Sequence, residues 1–167
     1  MRAIRIALPL LAALSLTACG FNTIPTKEEQ VNASWGEVEN QYQRRADLIP
    51  NLVETVKGFA RQEQETLTAV VEARARATSI QVDANTLDDP QKLQRFQQAQ
   101  NQLTGALSRL MGVSERYPEL KSNQNFLALQ SQLEGTENRI AVERQRYITT
   151  VQDYNTYIRS FPQNLVA

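Results

Sequence analysis

The chain has 167 residues, 18 basic and 18 acidic, with no histidine and a single cysteine, Cys19. That length suits one domain around one buried core. Charges of both signs alternate along every helical stretch, which argues against the basic face of a nucleic-acid binder. A histidine-free chain excludes a His-based triad or general base and the usual nitrogen-and-sulfur zinc site, and one cysteine excludes an intramolecular disulfide. No cofactor is expected.

Residues 1–18 read as a signal peptide. Arg2 and Arg5 open the chain, Ile6 to Leu16 is an apolar run, and small residues lead to Cys19, a secretory layout too short to span a bilayer comfortably. Leu16-Thr17-Ala18-Cys19, followed by Gly20, resembles a bacterial lipobox, which implies cleavage before Cys19 and lipid attachment (palmitate-type acyl chains) there. The other reading is an uncleaved membrane helix with Cys19 as a small buried residue. Cleavage would leave 16 basic and 18 acidic residues, a net charge of −2. Gly20 in place of aspartate after the cysteine directs such a lipoprotein to the outer membrane, facing the periplasm, in a two-membrane bacterium. Otherwise it stays on the outer face of the cytoplasmic membrane. Residues 19–27 then form the lipidated cysteine and a tether, with Phe21 to Lys27 expected to be extended.

The helical body is expected over residues 28–162, with 163–167 as a tail. Val31, Trp35, Val38, Tyr42, Arg45 and Ile49 recur in steps of three and four, the seam of a helix packed on neighbours. Arg45 on that seam reads as a stem that packs while its head reaches water; the alternative is a carboxylate partner inside the bundle. Pro50 has no N–H to donate and crowds the preceding turn, so a buried break is expected there, with a kinked continuous helix as the alternative. From Leu52 through Val56, Phe59, Leu67, Val70 and Val71 the apolar face continues to about Ser79. Gly58 suggests either close approach of another helix or a tolerated glycine.

Ile80 to Asp89 reads as a loop closing on Asp89-Pro90, an N-cap with proline in the first helical position. The third stripe is Leu93, Phe96, Gln100, Leu103, Leu107, Leu110 and Tyr117, ending at Pro118. Ser122 or Asn123 caps the last and longest helix, whose stripe runs from Phe126 through Leu133, Thr136, Ile140, Tyr147 and Tyr154 to Phe161 before Pro162. The expected fold is all-α: an elongated antiparallel four-helix bundle, with the first two segments as one kinked helix in the alternative reading.

Three ordered blocks carry a family resemblance: RRADLIPNLVETVKGFARQE from Arg44, YPELKSNQNFLALQSQLEGTENRIAVERQRY from Tyr117, and DYNTYIRSFP from Asp153. Together they resemble the LemA family of bacterial envelope proteins over roughly Val31 to Pro162. The resemblance implies a four-helix α bundle, membrane attachment near the N-terminus and no established catalytic activity. Members are often encoded near a heat-shock-type membrane metalloprotease or TPM-domain proteins, which hints at envelope quality control. Many members keep an N-terminal transmembrane helix where this chain has a lipobox, and Tyr147-Ile148 stands where the family often has Tyr-Asn.

Two local expectations follow at the family-like positions. Asp47 and Asn51, flanking Pro50, are placed to satisfy backbone groups freed there. Glu137, Asn138 or Arg139 could bond to Arg44, Arg45 or Asp47 in a polar cluster that fixes bundle register, the plainer reading being a solvated face. The leading functional expectation is a lipid-anchored helical scaffold that docks an envelope protein. A bundle holding an apolar or lipid-like ligand between its helices is the second. An enzyme is the third and weakest: Glu63 and Glu65 do not share a helix face, and Asp88-Asp89 suits capping.

Overall fold

The computed structural model describes residues 22–83, 87 and 89–165; the signal segment, Cys19 and Asp88 lie outside them. The helices are α1 (Thr23–Phe59), α2 (Gln64–Ser79), α3 (Pro90–Val113), the short α4 (Pro118–Lys121) and α5 (Gln124–Arg159), with 3-10 turns at Ser114–Arg116 and Gln163–Leu165. Among the described residues there is no strand, so the fold is all-α. The chain divides into two compact units, Val38–Val142 and the residues before and after it.

The expected break at Pro50 does not occur, because α1 runs through it. Proline in a helix interior removes the bond to the carbonyl four residues back and presses against it, here Ala46. That freed carbonyl accepts from Arg74 Nε on α2 at 2.7 Å. Pro50 itself is exposed, while Ile49 and Leu52 are 1% exposed and anchor the helix on both sides of it. Neither Asp47 nor Asn51 does the repair: Asp47 Oδ1 accepts from Gln43 Nε2 at 2.8 Å, and the Asn51 backbone carbonyl accepts from Thr55 Oγ1 at 2.8 Å.

The chain reverses ten residues later. Ala60 N donates to Val56 O at 2.8 Å and Glu63 N to Ala60 O at 3.0 Å, closing a turn around the fully buried Ala60. Arg116 Nη2 and the Tyr117 hydroxyl donate to the two Glu63 carboxylate oxygens at 2.8 and 3.2 Å, fastening this turn to the segment after α3. Phe59 and Val71, expected on the apolar face, are exposed, while Leu67 and Val70 are buried. Gly58 serves no close approach, since a Cβ there would meet nothing within 4 Å.

Local signals elsewhere set the ends of the helices. Asp89 Oδ1 accepts from Gln91 N and Lys92 N at 2.9 and 3.1 Å, ahead of Pro90 at the start of α3. Asn123 Oδ1 accepts from Phe126 N at 3.0 Å at the start of α5. At the N-terminal side α1 already begins at Thr23, so the extended reading of Phe21 to Lys27 fails from Thr23 onward. Pro25 falls in the first turn, where a missing N–H leaves no helical carbonyl unpaired.

The core of the Val38–Val142 unit gathers the seams of α1, α2, α3 and α5, with Ile49, Val56, Val70, Leu103, Leu110 and Phe126 all almost fully buried. In the other unit, Trp35 on α1 meets Tyr147 on α5 edge to face, ring centres 5.1 Å apart, and Lys27 Nζ sits 5.4 Å from the centre of the Tyr157 ring. The tyrosines of α5 are thus half-buried packing residues.

Replacing Arg74 by alanine should cost about 1–2 kcal/mol in urea unfolding, the cost of leaving a freed carbonyl unpaired. In a Pro50→Ala background the Ala46 carbonyl regains its helical donor, and the cost of Arg74→Ala should fall below about 0.5 kcal/mol. Equal costs in both backgrounds would show that the Arg74 bond has no relation to the proline.

Candidate functional site

The largest fully buried side chain among the described residues is charged. Arg45 is 2% exposed, so its head does not reach water as expected from its stem. It lies on the α1 seam because its neighbours one turn away, Tyr42 and Ile49, are core residues. A guanidinium carries five donors and no acceptor, and burying it unpaired would cost several kcal/mol.

Four of those donors find oxygen. Arg45 Nη1 donates to Glu137 Oε1 on α5 at 2.8 Å and to Thr104 Oγ1 on α3 at 2.9 Å. Nη2 donates to Gln100 Oε1 at 2.5 Å, with a longer contact to the Gln100 carbonyl at 3.4 Å. Nε is buried without a partner. The guanidinium carbon also lies 5.2 Å from the centre of the Tyr42 ring, within the range of a cation–π contact. Tyr42 in turn meets Phe96 of α3 edge to face at 5.3 Å.

Gln100 extends the cluster to a fourth element. Its Nε2 donates, at the long distance of 3.5 Å, to the Ala77 carbonyl in the last turn of α2, where helix carbonyls lack an internal donor. Thr104 Oγ1 folds back onto the Gln100 carbonyl at 3.1 Å. One arginine therefore links α1 directly to α3 and α5, and through Gln100 to α2.

Of the residues singled out in the sequence, the structure brings together Arg45 and Glu137. Arg44, Asp47, Asn51, Asn138 and Arg139 are exposed and stand outside the cluster. Sequence reasoning missed Gln100 and Thr104. Gln100 had a visible signal, being a polar residue in register with Phe96 and Leu103 on an apolar stripe. Arg74, which caps Ala46, had none, since it sits in a run of alanines and arginines.

Beside the cluster, an open cleft of ≈ 180 Å³ is lined by Glu39, Tyr42, Gln43, Gln81, Asp83 and Phe96 among others. Burial, and then the negative charge of Asp83, push the Glu39 carboxyl above its ordinary value of 4.5. Among the described residues no group of three or more acidic or cysteine side chains could hold a metal ion, and no helix is long and apolar enough to cross a membrane.

Glu137→Ala leaves Arg45 buried without its counter-charge and should cost about 2–4 kcal/mol, toward the low end for a broken buried pair because Glu137 keeps some water access. Arg45→Met combined with Glu137→Ala should cost clearly less than the two single changes added, a coupling that denaturant unfolding of the four proteins measures. Glu39→Gln should stabilise the fold at neutral pH by less than about 1 kcal/mol, since the group remains partly solvated. The raised carboxyl binds its proton more tightly when folded, so the native state is penalised above that raised pKa and the penalty fades as pH falls to 4.5. The stability gap between wild type and Glu39→Gln should therefore close in acid; a gap independent of pH would contradict this.

Residues 34–167 match the LemA family. Magnetosome proteins MamQ 1 and MamQ 2 of Paramagnetospirillum magneticum are each 25% identical over 176 aligned residues, covering 96% of this chain and 65% of the relative. Protein LemA of Metamycoplasma hominis is 21% identical over 146 residues, covering 87% of this chain and 63% of that protein. The chain thus spans just under two thirds of the length of these relatives. The match over residues 34–167 takes in Arg45 and every residue it bonds to, and the chain belongs to the LemA family.

Proposed function

We propose that this chain is a non-enzymatic helical scaffold of the bacterial cell envelope, tethered to the membrane by lipid on Cys19, which docks another envelope protein and has a part in envelope quality control. The observation that carries this reading is where the polar groups of the cluster are used. The buried Arg45 and Gln100 are bonded to each other and, through Arg45, to Thr104 and the partly exposed Glu137 across helices, so this chemistry holds the fold and the exterior is left to do the work. Membership of the LemA family supports an envelope location. Two of the relatives are named as magnetosome proteins.

The tether is argued from the sequence. Apolar residues lead to Leu16-Thr17-Ala18-Cys19-Gly20, and burying acyl chains is worth about 0.8 kcal/mol per methylene, so that two or more chains hold a protein firmly where one holds it marginally. Attachment at Cys19 keeps the folded body near the lipid and presents its surface to neighbours in the same membrane.

Cys19→Ala should move the protein from the membrane fraction to the soluble fraction and remove the acyl mass from its mature N-terminus, as read by intact mass spectrometry. Retention in the membrane with no acyl mass in the wild type would replace the lipid tether with an uncleaved helix. Crosslinking in native membranes should trap a discrete envelope partner. No partner under several stress conditions, or turnover of a substrate by the purified chain alone, would contradict the scaffold.

A further inference from the structure

We propose that the C-terminal end of α5, with the turn that follows it, is a second membrane contact, lying on the bilayer surface beside the N-terminal tether. This rests on the membrane attachment argued above and adds a surface to it. Within the unit formed by the residues before Val38 and after Val142, Lys27 Nζ lies 5.4 Å from the centre of the Tyr157 ring. The first turns of α1 and the last turns of α5 are therefore at the same end of that unit. From Cys19 to Asn22, the first described residue, is a separation of three residues, at most about 10 Å of chain. A lipid on Cys19 brings this end of the unit to the headgroups.

What stands at that end fits a lipid surface. Phe161 is 79% and Leu165 72% exposed, the two most exposed large apolar side chains among the described residues; Phe161 directly precedes Pro162 and Leu165 ends the 3-10 turn that follows it. Water is a poor environment for such a pair, and the apolar edge of a bilayer is a better one. Charges at this end are mixed, Lys27 and Arg159 standing beside the exposed Glu28, Glu29 and Asp153, so the contact rests on the apolar side chains. Tyr157, half-buried under Lys27, adds an aromatic ring of the kind enriched at headgroup depth.

The test uses the full chain isolated with its anchor and reconstituted into phosphatidylcholine–phosphatidylglycerol vesicles carrying brominated acyl chains, which quench tryptophan emission at short range. Phe161→Trp reports from the proposed contact. Ile148→Trp is the control, being exposed on the same helix and about 16 Å along its axis from Arg159. The emission of the parent protein, from Trp35, is subtracted from both. Brominated lipid should extinguish and blue-shift the added emission of Phe161→Trp and leave that of Ile148→Trp nearly intact. Equal emission from the two variants in vesicles that carry the protein on flotation would overturn the contact while leaving the tether standing, and would point to a protein partner for Phe161 and Leu165. Failure of the protein to float with the vesicles would overturn both.

Discussion

A guanidinium withdrawn from water must find oxygen for its donors, and in this protein that requirement falls on Arg45. Its partners come from two helices directly and a third through Gln100. A helix turns by about 100° for each residue, so sliding α1 by a single position against α3 or α5 would carry the charge away from Glu137 and Thr104 into hydrocarbon. Apolar seams alone tolerate such slips, because leucine packs against leucine in several registers. The buried charge does not, and it therefore selects one arrangement of the Val38–Val142 unit. Such a device need not add stability, since its desolvation offsets much of the attraction; its effect is on which packing is allowed.

A second arginine solves a different problem. Pro50 lies within α1 and frees the Ala46 carbonyl, which Arg74 occupies from α2. The proline thus becomes a point of attachment between two helices and not the end of one. Its location also makes sense of the neighbouring turn: because α1 survives Pro50, the reversal has to come later, at Ala60–Glu63, where Glu63 is held by Arg116 and Tyr117. Three arginines, Arg45, Arg74 and Arg116, thus act as cross-links between elements, and the interior serves to hold a shape.

How much of this could be read from the sequence depended on range. Bonds reaching only two or three residues were legible: Asp89 before Pro90 and Asn123 before Phe126 behave as caps, and the three-four stripes identified most of the core. Features that depend on distant residues were not. Pro50 looked like a break because its repair comes from a residue 28 positions away. Arg45 looked like a surface residue with a packed stem because Gln100 and Glu137 lie 55 and 92 positions away. The Arg45–Glu137 pairing was within reach only because both are polar interruptions of apolar seams, and Gln100 could have been added on the same ground. Nothing local distinguishes Glu137 from its exposed neighbours Asn138 and Arg139 except which face of α5 it occupies.

If the buried guanidinium sets the register, it must be held still in solution. Nuclear magnetic resonance of the arginine side chains tests this directly, because a guanidinium fixed by four hydrogen bonds cannot rotate freely or exchange its protons with water. The account predicts separate, slowly exchanging Nη–H resonances for Arg45, set apart from the averaged signal of exposed Arg44. A single averaged, fast-exchanging Nη signal for Arg45 would contradict it.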